Sequence, residues 1–193
     1  MINHLKGKLV EKNPTYAIIE CNGVGYFVNI SLQTFSALPD SEAVMLYTHL
    51  IIREDAHSLY GFFSLLEREL FRLLISVSGV GPSTARTMLS SMTAIEIQQG
   101  IVDGDVALIQ SVKGIGAKTA QRVILDLKDK IVKTYQIEEN SLPEGNSHKE
   151  EALSALEVLG FNAKQSEKII SNLLKSEPNL DVEQLIKKAL KSL

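Results

Sequence analysis

The chain has no tryptophan, one cysteine and 5 prolines in 193 residues. A lone cysteine, Cys21, excludes an internal disulfide and any cysteine-based metal site. Its expected place is a small core position. No apolar run approaches the ~18 residues that a membrane-spanning helix needs. The opening residues, Met1 to Lys8, lack the long apolar stretch of a secretory signal. With 45% hydrophobic and 22% charged residues, neither wholesale disorder nor a fibrous protein fits. Aromatic residues make up only 6%, which speaks against a single-strand binder built on base-stacking platforms. These absences leave a soluble, cytoplasmic chain with no metal, no cofactor and no membrane partner as the expectation. His4, His49 and His57 are scattered and are expected to be packed or solvated rather than ligands.

The formal net charge of −3 conceals an uneven distribution. Residues 1–64 carry 4 Lys/Arg against 6 Asp/Glu, and residues 136–193 carry 7 against 10. Residues 65–135 carry 9 against 7, the only basic stretch.

Pattern divides the chain into an α+β arrangement. Up to residue 63 the runs are β-like, with Asn22-Gly23 between Thr15–Cys21 and Val24–Ile30. That pair is a strong hairpin signal, because both turn residues need positive φ. Five or six short strands in about sixty residues suggest an OB-like barrel. From Ser64, a plausible N-cap, the period becomes helical and continues to Tyr135 with breaks at glycines. Residues 136–149 (QIEENSLPEGNSHK) read as a flexible linker. Residues 150–193 follow as three short amphipathic helices, with Leu156, Leu159, Phe161, Ile169, Ile170, Leu173 and Leu185 as apolar positions, most of them core.

The central stretch contains a duplication. Gly79-Val80-Gly81-Pro82-Ser83-Thr84-Ala85 recurs 35 residues later as Gly114-Ile115-Gly116-Ala117-Lys118-Thr119-Ala120. Each copy lies between helical segments. The glycines permit a tight turn that opens a helix with outward backbone N–H groups, and Val80 or Ile115 plugs inward. Such amides, with the helix dipole, suit a phosphate and carry no base readout. Lys118 and Arg122 stand one turn apart on the second copy's helix. A dinucleotide fingerprint fails because no third glycine follows and no strand precedes, and a P-loop fails because Ala117 stands where Gly-Lys-Thr requires glycine. A helix-hairpin-helix glycosylase or nuclease uses the same clamp. Asp126 and Asp129, however, suit surface ion pairs on a continuing helix.

Paired hairpins behind a barrel, then a linker and a three-helix unit, resemble the RuvA family of Holliday-junction-binding proteins. The resemblance spans the chain and includes R-E-D-A-H-x-L-Y-G-F at 53–62 and L-F-R-L-L-I-S-V-S-G-V-G-P at 70–82. It implies a non-catalytic protein of recombination, repair and the SOS response, whose barrel assembles a homotetramer on four-way junction DNA. It leaves open whether one tetramer or two face-to-face tetramers hold the junction. It further implies an acidic pin at Glu54 and Asp55, and DNA contacts at Gly79, Val80, Gly81, Ser83, Thr84, Gly114, Ile115, Gly116, Lys118, Thr119 and Arg122. The C-terminal unit is implied to dock the hexameric ATPase RuvB, with a RuvC-type resolvase as a further partner. Ser83 departs from the basic residue common in the family, and Thr84 and Arg86 are the candidates to compensate.

Overall fold

The computed structural model describes residues 2–39, 43–139, 145–177 and 180–192. The chain forms two compact units, Met1–Val132 and Lys133–Leu193. In the first unit, strands β1 (His4–Asn13), β2 (Tyr16–Cys21), β3 (Val24–Ile30), β4 (Ala43–Ile52) and β5 (His57–Phe62) close into a barrel. The order is β1-β2-β3-β5-β4, with β4 returning to β1. Only β3 and β5 run parallel, over two register pairs, Asn29↔Tyr60 and Ile30↔Gly61. Asn22 and Gly23 adopt φ of 50° and 84°, the turn their pairing predicts. Strand alternation sends Ala17, Ile19, Val28, Ile30, Val44 and Leu46 inward. Cys21 packs half-buried against that core.

The sequence pattern missed α1 (Leu32–Ala37), a helix of 6 residues after β3. Ser31 caps it by accepting a hydrogen bond from the Thr34 N–H at 3.0 Å. Then come α2 (Leu65–Ile75), α3 (Pro82–Ser91), α4 (Ala94–Asp103), α5 (Val106–Gln110) and α6 (Ala117–Glu139). Ser64 caps α2 as expected. At α4, Thr93 and Glu96 cap each other reciprocally, and the Thr93 bonds hold the Glu96 carboxyl below its usual range.

Phe71 fastens the helical part to the barrel. Its ring lies 4.9 Å from that of Phe62, 5.0 Å from Tyr60 and 5.7 Å from His49. Burying such a ring is worth about 2–3 kcal/mol. Burial, and next the Arg72 charge, lower the His49 pKa, and its Nδ1 accepts from Arg72 Nε at 3.4 Å. His4 and His57 are exposed.

Of the stretch assigned to a linker, 136–139 belong to the end of α6, 140–144 lie outside the described residues, and 145–149 open the next helix. The second unit contains α7 (Gly145–Val158), α8 (Ala163–Ser176) and α9 (Val182–Leu190). They enclose Ala152, Leu156, Ile170, Leu180, Leu185 and Ala189, with Phe161, Ile169 and Leu173 partly buried around them. Of the apolar positions, most expected in the core, Leu159 is an exception and is 58% exposed. Gly160 at φ 91° reverses the chain, and the Phe161 N–H reaches the Leu156 carbonyl at 3.0 Å. This left-handed helix end returns Phe161, not Leu159, to the core. No helix among the described residues is long and apolar enough to cross a membrane.

Candidate nucleic-acid interface

The duplicated sequence builds two matching hairpins, α2–α3 and α5–α6. Val77 and Val112 are buried beneath the loops. Gly79 and Gly114 take φ of 95° and 94°, a region that penalises any side chain. Val80 and Ile115 are only 5% and 6% exposed. Their N–H groups bond back to the Val77 and Val112 carbonyls at 3.0 and 3.1 Å. These two residues therefore hold the turns from within, and neither their side chains nor their N–H groups face a ligand. The Gly81 and Gly116 carbonyls then accept from Ala85 and Ala120, each at 2.9 Å, starting the following helices. The repeat begins earlier than the glycines: Ser76 and Ser111 both donate to the carbonyl three residues back at 2.6 Å. The signal lay in the sequence as Ser-Val-x-Gly.

Both helix starts expose backbone toward solvent, and a Cβ built on Gly81, Gly114 or Gly116 meets nothing within 4 Å. Chemically, each offers N–H groups at the positive end of a helix to an anion. They are not equal. Pro82, at the first turn of α3, has no N–H, whereas Ala117 has one. Lys118 and Arg122 are exposed on α6, but Ser83 is uncharged. Arg86 does not compensate, because its Nη1 donates to the Thr15 carbonyl at 3.1 Å and to Asn29 Oδ1 at 3.0 Å, both in the barrel. Arg86 is thus tied to the barrel through Nη1, and the second hairpin combines a first-turn N–H with the exposed cations Lys118 and Arg122.

The hairpins also meet. A Cβ on Gly79 would lie 3.6 Å from Thr119 Oγ1, and Arg122 Nη1 approaches the Ser78 carbonyl at 3.5 Å. Thr119 is thus a half-buried spacer against the first loop. The turn between β4 and β5 presents Glu54 and Asp55 to solvent, closed by the Arg53 N–H on the Ala56 carbonyl at 2.9 Å. A cleft of about 260 Å³ separates it from the first hairpin, with Arg53, Asp55 and Tyr60 on one side and Gly81, Pro82 and Ser83 on the other. Arg53 and Tyr60 were not singled out from sequence. Nothing local links residue 53 to residue 83, and only the packing of α3 on the barrel brings them together.

Comparison with known proteins places this geometry. A model described as the RuvA N terminal domain matches residues 1–61, a SAM-like Helix-hairpin-helix tandem matches 71–129, and the RuvA, C-terminal domain matches 147–193. A protein of Christiangramia forsetii named Holliday junction branch migration complex subunit RuvA is 63% identical over 193 residues, covering 100% of each chain. Proteins of the same name from Flavobacterium psychrophilum and Bacteroides fragilis are 56% and 48% identical, also over 100% of both chains. The chain belongs to the RuvA family. Within this RuvA-family chain, barrel and hairpins fall in one compact unit. Asp126 and Asp129, the carboxylates weighed for an enzyme, are exposed on α6 of this RuvA-family fold.

Proposed function

We propose that the protein is a non-catalytic subunit that binds four-way DNA junctions through phosphates, without base readout, as a homotetramer, and recruits a RuvB-type ATPase for branch migration. The observation that supports this reading is the juxtaposition of the first hairpin with an acidic turn across one cleft, beside a second hairpin of matching geometry. Hairpin amides hold duplex arms, while Glu54 and Asp55 repel phosphates where strands must part. The names of the full-length relatives support it. A competition gel shift at moderate salt without ATP, junction against linear duplex, tests it. A strong junction preference is expected, and equal affinity for both DNAs overturns it. Deleting residues 136–193 should leave that preference intact and abolish ATPase recruitment.

Self-association is supported by an uncovered apolar face. Phe63, Leu66 and Ile95 are 45%, 37% and 65% exposed and rim one groove beside α1. Ile95→Glu should shift the mass measured by light scattering from tetramer toward monomer. Unchanged mass would place the assembly contact elsewhere. For motor docking, Val158 and Leu159 at the end of α7 are 85% and 58% exposed in the C-terminal unit.

A further inference from the structure

Arg86 lies one turn along α3 from Ser83, which lines the cleft, and its guanidinium is bonded to the barrel. Both acceptors of its Nη1, the Thr15 carbonyl and Asn29 Oδ1, are neutral. Asn29 passes the link onward, its Nδ2 donating to the Leu59 carbonyl on β5 at 3.2 Å. The Thr15 carbonyl also accepts the Ile30 N–H at 3.1 Å. Arg86 thus grips the point where the β1–β2 turn, β3 and β5 converge, beside the two-pair parallel seam that closes the barrel. β5 starts directly after the acidic turn, and Tyr60, in register with Asn29, lines the cleft. The relay Arg86–Asn29–Leu59 therefore joins the helix that carries one wall of the cleft to the strand that carries the other.

We propose that Arg86 is a positioning residue that fixes the first hairpin relative to the acidic turn and so sets the preference for a junction over plain duplex. The inference rests on the proposed junction-binding function. A duplex arm needs only the hairpins, and its affinity is indifferent to where the acidic turn stands. A crossover must satisfy hairpin and acidic turn together, so a loosened tether weakens junction binding alone.

The test uses the full-length chain, a four-way junction and a linear duplex of matched arm sequence, with melting temperature recorded for each variant. Arg86→Ala and Asn29→Ala should each lower junction affinity about tenfold and leave duplex affinity unchanged. The double variant should lose no more than either single one, because both cut one relay. Arg86→Lys, which keeps a cationic donor, should recover most of the preference. Should Arg86→Ala fail to fold, Asn29→Ala and Arg86→Lys carry the comparison. Loss of junction and duplex binding alike in Arg86→Ala, with Asn29→Ala silent, would show a direct phosphate contact and overturn the proposal. A lowered melting temperature with the preference intact would reduce the relay to a fold contact and overturn it too. Wild-type protein without junction preference would overturn the functional reading along with it, which separates that failure from the other two.

Discussion

Gly114→Glu should weaken junction binding on the order of 100-fold, because it sets a carboxylate in front of amides aimed at phosphate. Nothing lies within 4 Å of the position, so the variant has room to fold. The φ of 94° adds a backbone cost of about 1–2 kcal/mol. Gly114→Ala carries that cost without the charge and isolates it. Gly79→Glu should do less harm, since the first hairpin lacks counterparts of the Ala117 N–H, Lys118 and Arg122. Gel shifts across a salt series check the ranking: Gly114→Glu should also flatten the fall of affinity with salt. Wild-type affinity and slope in Gly114→Glu would remove the second hairpin from the interface.

Glu67→Ala should destabilise the first unit by roughly 3 kcal/mol. The Ser31 hydroxyl donates to Glu67 Oε1, and the Thr34 hydroxyl donates to Oε2 at 2.7 Å. Thr34 Oγ1 accepts the Phe63 N–H at 3.1 Å. One buried carboxyl thereby organises α1 and the β5–α2 junction, and its removal takes the acceptor from two buried hydroxyl protons. Burial raises the Glu67 pKa above its ordinary 4.5, against the lowering pull of the Ser31 and Thr34 bonds. The folded state therefore holds the proton more tightly than the unfolded chain does. That contribution is complete below 4.5 and is lost as pH climbs through the raised folded value. Melting curves from acid to neutral pH should show wild type losing stability relative to Glu67→Gln over this window. A constant difference between the two would mean that Glu67 has an ordinary pKa in the fold.

Both sites were partly legible beforehand, for local reasons. Asn22-Gly23, Ser64 and the two Gly-x-Gly copies state their conformations within a few residues, because positive φ and helix caps are short-range demands. Val80 and Ile115 were readable as plugs for the same reason. Residues whose roles depend on distant partners were not. Arg86 looked like a spare cation because its acceptor, Asn29, lies 57 residues away. Glu67 was not singled out, since its partner Ser31 is 36 positions upstream. Helix α1 escaped because 6 residues cannot display a period. Leu159 matched the helical spacing, yet the reversal at Gly160 hands its place to Phe161.

The hairpin loops are held by their own residues: their glycines are left-handed, their plugs are buried, and the Val80 and Ile115 N–H groups are bonded to the Val77 and Val112 carbonyls. Association then demands little loss of loop entropy, the toll that mobile binding loops meet on contact. Capture limited by diffusion and ionic atmosphere, rather than by a slow ordering step, is the expected result. A preset surface of this kind can also release and re-grip a backbone that slides beneath it, which is what DNA does when a branch point moves.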